Sequence, residues 1–215
     1  MNELKNGFNG IENILSDFFT KVILYLTDGF LIAGAGLLAP IFAIFVEKLG
    51  GGVLEAGIAS AIFSFTAGVG IFVLSRIEDA HKKNFEKFVV LGYLIALIGY
   101  SNYLFLTSVI HLYIAQFILG IAAAIRVPSY DVLLSRNSPH HLAVAWGNWN
   151  SVAYIVSATS ALLGATLASA YGFETLIQVM LLFSSISFFI SIFLLKTKGQ
   201  KLCHPVTDNE EINLR

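Results

Sequence analysis

The sequence predicts an all-α membrane protein with six transmembrane helices. Three observations carry this. Of 215 residues, 56% are hydrophobic and only 13% are charged, where soluble domains average about 25% charged, so the chain lacks the polar groups to cover a water-facing surface. Its mean hydropathy is +0.76. Six stretches each supply the roughly 20 apolar residues that a helix needs to cross a hydrocarbon core about 30 Å thick.

Residues 1–21 form a cytoplasmic leader. Leu4, Phe8, Ile11, Leu15 and Phe18 recur at helical spacing and mark one face of an amphipathic helix. It reads either as an interfacial helix on the cytoplasmic leaflet or as an unanchored leader. Its acids Glu3, Glu12 and Asp17 argue against attraction to anionic lipid. The transmembrane domain, 22–195, holds spans at 22–46, 53–75, 87–107, 111–135, 146–170 and 173–195. The first is too long for a signal peptide and follows an acidic leader rather than a basic one. Short connections make neighbouring helices antiparallel. The tail, 196–215, turns from basic to acidic at Asp208, Glu210 and Glu211 and is expected to be disordered.

Charge fixes the predicted orientation. Lys5, Lys21, Arg76, Lys82, Lys83, Lys87, Arg136, Lys196, Lys198, Lys201 and Arg215 lie at the chain ends and in the loops after spans two and four. Those are eleven of the thirteen Lys and Arg; Lys48 alone falls on the other side. Positive charge stays cytoplasmic, so both termini are expected inside, in the cell (inner) membrane. The formal net charge of -1 identifies no partner. No basic stripe with interleaved aromatics is present, which excludes nucleic acid. The single cysteine, Cys203, excludes a disulfide framework and a cysteine metal cluster.

The remaining basic residue is Arg126, inside span four. An arginine near mid-membrane costs at least about 2.5 kcal/mol, so it needs a partner or a wet cavity. Asp28 is the acid inside another span. At 1.5 Å per residue, Asp28 lies roughly 9 Å and Arg126 roughly 5 Å from the middle of its span, both toward the cytoplasmic side. The two can form an ion pair or face one cavity. In the functional reading Asp28 is a protonation or cation site and Arg126 an anion-binding or gating charge. In the structural one they pin two helices together, or Arg126 snorkels to the surface. Gln116 and Tyr25 are weaker cavity candidates. Trp146 and Trp149, which open span five, suit an interfacial aromatic belt.

Small residues mark possible helix contacts. Ala56, Ser60, Ser64 and Gly68 form a stripe on span two, and Ala153, Ser157, Ala161, Ala165 and Ser169 form one on span five. Such stripes let membrane helices approach closely, either within the bundle or against a partner.

The loop SRIEDAHKK, from Ser75 to Lys83, resembles the signature loop between helices two and three of the major facilitator superfamily. Ser75 stands where the family's glycine is expected, Asp79 matches the acidic position and Lys83 a basic one. The run from Gly36 to Pro40 resembles the family's first-helix pattern. YIAQFILGIAAAIRVP (Tyr113 to Pro128) with SPHHLAVAWG (Ser138 to Gly147) resembles its fourth helix and following loop. There are departures. Gln116 replaces the arginine many members carry four residues before the fourth-helix glycine, and the antiporter glycine-proline signature is absent from span five.

The resemblance covers Val22 to Leu195. It implies one six-helix half of a twelve-span transporter, built as two inverted three-helix repeats. Pro40 and Pro128 lie on corresponding helices of the two triplets. Helices one and four then line the cavity. Asp79, Lys83, Asp131 and Arg136 form a cytoplasmic gate. Ser60, Ser64, Gly68, Ser157, Ala161 and Ala165 face the missing half, for which a second copy of the chain is the simplest occupant.

The histidines lie in loops, at helix ends or in the tail, and no HExxH, nucleophile elbow or phosphate loop occurs, so the reading is not an enzyme and invokes no metal or cofactor. The expected activity is ion-coupled movement of an unspecified small solute by alternating access in a parallel homodimer. The alternatives are a non-transporting membrane scaffold and one half of a heteromeric split transporter.

Overall fold

The computed structural model describes residues 2–80, 84–138 and 141–197, with the backbone course alone for 2–14 and 197. Every regular element among the described residues is helical. The chain runs α1 (Asn2–Leu38), a 3-10 turn at Ala39–Ile41, α2 (Phe42–Lys48), α3 (Val53–Ala80), α4 (Phe85–Ser101), a second 3-10 turn at Asn102–Phe105, α5 (Val109–Arg136), α6 (Leu142–Ser191) and α7 (Leu194–Thr197).

Local sequence explains the breaks. Pro40 lacks an N–H and so separates α1 from α2. Beyond α2, the N–H groups of Leu49, Gly50 and Gly51 donate to the carbonyls of Val46 and Glu47, closing off the last turn. The Gly52 N–H donates to Glu55 Oε2 at 2.7 Å and opens α3. The Ser108 side chain caps α5 by accepting from the His111 N–H. The leader continues into the first span without interruption, since α1 is one helix of 37 residues.

Five helical stretches among the described residues are long and apolar enough to cross a membrane: Leu15–Lys48, Val53–Ala80, Phe85–Phe105, Val109–Arg136 and Leu142–Lys196. The last has 55 residues. Straight, it would extend about 80 Å, more than twice the hydrocarbon core. It is broken at Gly172, whose φ of 85° and ψ of 175° are incompatible with a helix and open essentially to glycine alone.

Contacts on either side of Gly172 run along α1 and α2 in opposite directions. Before it, the Tyr25 hydroxyl donates to the Ala145 carbonyl at 2.9 Å, Gly36 lies against Ser157 and Ser160, and Gly164 lies against the Leu37 backbone with no room for a Cβ. After it, Phe45 meets Phe173 with ring centres 5.4 Å apart, Gly34 lies against Met180 and Phe183, and Ser187 Oγ donates to the Thr27 carbonyl at 2.7 Å. The small residues at these crossings allow the close backbone approach on which membrane helices rely.

Elsewhere α5 packs against both α3 and α4, and α4 against α6. The distribution of side chains is that of a protein dissolved in lipid. Phe65, Phe105, Ile110 and Leu162 are each 69–74% exposed, while Thr27, Asp28, Glu78, Ser129 and Ser187 are buried. Apolar groups gain nothing by hiding from hydrocarbon, whereas each polar group there needs a partner.

The aromatic belt expected at Trp149 is not what forms. Trp149 is 6% exposed, stacked on Tyr25 at 5.8 Å and packed on Tyr130 at 5.6 Å. It lies on the face of α6 that turns toward α1 and α5, so packing takes precedence over interfacial preference. Trp146 is half-buried, and its indole N–H donates to Ser135 Oγ at 3.4 Å.

Candidate functional site

Three helices meet at a buried polar cluster. Asp28 on α1 is 5% exposed. Arg126 on α5 forms an ion pair with Asp28 Oδ1, and the Tyr93 hydroxyl on α4 donates to the same oxygen at 3.2 Å. The guanidinium also lies 5.4 Å from the Tyr93 ring centre, within range of a cation–π contact. Gly92 makes the arrangement possible, because a Cβ there would come within 2.6 Å of Arg126 Cβ. One turn beyond Arg126, Tyr130 donates to the Leu24 carbonyl at 3.3 Å, tying the same helices again. Among the candidates of the sequence reading, Asp28 and Arg126 are thus in direct contact. Tyr25 faces α6 instead, held by Ala145 and Trp149.

Arg126 also lines a cavity of about 130 Å³ with Ala35, Phe63 and Tyr100. The same three residues border an adjoining cavity of about 300 Å³, whose polar groups are Ser60, Ser64, Tyr103 and Gln116. Gln116 is buried and its Nε2 donates to the Tyr103 hydroxyl at 3.2 Å. The cavity wall therefore offers aromatic and aliphatic surface, hydroxyl and amide groups, and one guanidinium whose charge is balanced by Asp28.

Of the four residues placed at a cytoplasmic gate, Lys83 lies outside the described residues. Asp79 is exposed at the end of α3, Asp131 is half-buried on α5, and Arg136 is exposed with its guanidinium 4.6 Å from the Phe85 ring centre. Of the proposed partner-facing stripe, Ser60, Ser64, Gly68, Ser157 and Ala165 are exposed and Ala161 is half-buried. Ser60 and Ser64 additionally border the larger cavity. The neighbouring positions Ser160 and Gly164 are the ones buried against α1.

Sequence reasoning passed over Tyr93 and Glu78. Glu78 is 2% exposed. Its Oε2 accepts from Ser129 Oγ at 2.6 Å, while Oε1 has no hydrogen-bond partner among the described residues. Glu78 and Asp79 point about 100° apart around the helix, but nothing in the sequence says which of the two faces α5. Nothing in the sequence singles out Tyr93 among eight tyrosines.

A multi-pass helical membrane protein with a charged cluster beneath a cavity between its helices is the class defined here. The chain belongs to the major facilitator superfamily, whose family model matches residues 24–208. It is similar to "Multidrug resistance protein MdtG" of Escherichia coli O9:H4 (strain HS), with 25% identity over 83% of this chain and 43% of that protein. The protein of the same name from Klebsiella pneumoniae (strain 342) is 26% identical over 80% of this chain and 42% of its own length. That from Salmonella schwarzengrund (strain CVM19633) is 26% identical over 77% and 40%. The chain thus spans less than half the length of these relatives.

Proposed function

We propose that the chain is a six-span unit of a membrane transporter that moves a small solute by alternating access, in the cell (inner) membrane with both termini cytoplasmic. The observation that carries this is the Asp28–Arg126–Tyr93 cluster, of which Arg126 lines the cavity. Intramembrane charges of this kind mark substrate and ion pathways. In this reading Asp28 is the proton-carrying group. Protonation removes its charge, releases Arg126 toward the cavity and changes the balance between two helix arrangements. Gln116 and the cavity tyrosines contact the solute. The apolar walls support a lipophilic solute, and the relatives' name, multidrug resistance protein, supports a drug-like one. Asp79, Lys83, Asp131 and Arg136 close the cytoplasmic end.

The count of six spans is supported by Gly172 and by the opposite running directions of α6 on either side of it. The inverted repeat is supported by Pro40, at the break between α1 and α2, and Pro128, inside the unbroken α5, which lie on corresponding helices of the two triplets. A unit of this size leaves its cavity open on one side. The second unit is a copy of this chain in parallel orientation, meeting it through Ser60, Ser64, Gly68, Ser157, Ala161 and Ala165. The exposure of α3, where Ala56, Ala59, Ala67 and Glu78 alone are buried, supports a partner on that face. The greater length of the relatives favours a second reading, in which the partner is a different chain.

Light scattering of the solubilised particle, with detergent subtracted, separates these: a protein mass of twice 23.4 kDa is expected, and a persistent single-chain mass removes the homodimer. Uptake of a fluorescent lipophilic dye into vesicles under a pH gradient tests transport. Loss of uptake in Asp28→Asn and Arg126→Gln is expected. If both variants transport like the parent, the assignment of these charges is wrong.

A further inference from the structure

Lys48 is the one lysine or arginine that the charge pattern leaves at the end of the bundle away from the basic loops. Its setting there is specific. Lys48, Glu174 and Gln178 border a cavity of about 460 Å³ between the end of α2, the Asn102–Phe105 turn and the α6 residues just after Gly172. Its floor is aromatic. Phe45 stands 6.0 Å from Tyr103 and 5.4 Å from Phe173, centre to centre. Tyr103 is 4% exposed, and its hydroxyl accepts from Gln116 on the side of the cavity of about 300 Å³. Lys48 Nζ lies 4.8 Å from the Phe173 ring centre. Among the described residues, Lys48 and Glu174 form no ion pair with each other although both line the cavity. The nearby acid Glu55 is occupied by the Gly52 N–H.

Two opposite charges held apart across one cavity select their ligand. A simple anion meets Lys48 but is repelled by Glu174, and a simple cation meets the reverse. A head that carries a phosphate and an ammonium on a short spacer satisfies both charges, and its ammonium gains the aromatic floor as well. The volume lies within the range of small-ligand sites. The cavity is at helix ends, where lysines and aromatic rings meet the membrane–water interface. Leu104 lines its edge, and the adjacent Phe105 is 74% exposed, a surface on which acyl chains can lie. We propose that this cavity seats the headgroup of a zwitterionic phospholipid, with phosphate at Lys48 and ammonium at Glu174. The site lies outside the Asp28–Arg126 cavity and does not depend on transport.

The test is native mass spectrometry of the full chain in detergent with equimolar phosphatidylethanolamine and phosphatidylglycerol. The parent is expected to retain the zwitterionic lipid preferentially. Lys48→Gln and Glu174→Gln should each lower that retention about tenfold, the loss of one charge-assisted hydrogen bond. Glu174→Gln should also turn the preference toward phosphatidylglycerol, because Lys48 then stands alone. A purely structural role for Glu174 would not reverse the preference. Equal retention of both lipids by the parent, or unchanged retention in both variants, overturns the proposal. So does displacement of the lipid by glycerophosphoethanolamine at equal concentration, which assigns the site to a soluble zwitterion.

Discussion

Removing both members of the Asp28–Arg126 pair should destabilise the protein less than the two single removals added together. The side chains of Arg126 and Asp28 are 13% and 7% exposed, so water screens neither charge effectively. In Arg126→Gln, Asp28 keeps only the Tyr93 hydroxyl among its two donors. In Asp28→Asn, Arg126 keeps only the face of Tyr93 and neutral oxygens. Breaking a buried pair from one side costs about 3–5 kcal/mol, because an uncompensated charge stays behind. For a chain of this length, about 2–4 °C of Tm accompanies each kcal/mol, so each single variant should melt roughly 6–20 °C below the parent. The double variant Asp28→Asn/Arg126→Gln leaves two amides that can hydrogen-bond each other. It should recover at least about 2 kcal/mol relative to the sum of the singles. Intrinsic fluorescence during heating in detergent reads this directly, since buried Trp149 packs on Tyr25 and Tyr130 beside the cluster. Additive single effects would refute a coupled pair and leave two independent charges.

Gly172→Ala places a Cβ at φ 85° and ψ 175° and should cost about 1–3 kcal/mol, read as a lower Tm with the same elution profile. Gly164→Val drives a side chain into the Leu37 backbone; a loss of monodisperse protein on size exclusion is expected, whereas Ala165→Val, at an exposed position on the proposed partner-facing stripe, should leave the chain folded and act only on the mass of the particle. Ser129→Ala removes the hydroxyl that serves buried Glu78 and should cost about 1.5–3 kcal/mol. Adding Glu78→Gln to it should restore part of that Tm loss, because the buried acid is gone.

The membrane class was legible in composition, and so was the presence of several helical stretches long enough to cross a membrane, of which the described residues hold five. The reversal near residue 172 was legible too, because Tyr171-Gly172 separates two stretches that are each long enough to cross. Scarcity and depth brought Asp28 and Arg126 together as candidates, leaving an ion pair, a shared cavity and a snorkelling arginine all open; the structure shows the ion pair. The surroundings of the pair were not legible. Tyr93 looks like any apolar-helix tyrosine until α4 is laid against α5, and Trp149 reads as an interfacial residue until its face is known to turn inward. Both depend on helix rotation, which the sequence of a span that is apolar all round encodes weakly.

By itself, then, the sequence determined the solvent of this protein, the length and number of its apolar stretches, the family pattern from Gly36 to Gly147, and the scarcity of intramembrane charge. It did so because transfer into lipid is governed by local composition, which is summed along the chain. The tertiary structure alone decided which faces meet. It put Tyr93 and Gly92 against the ion pair, buried Glu78 while leaving Asp79 exposed, joined Gln116 to Tyr103, and set Lys48 across a cavity from Glu174. Those outcomes depend on close packing between small residues and on the partners that polar groups find in a medium without water. Such partners lie on other helices, as many as 160 residues away between Thr27 and Ser187, and no local pattern specifies them.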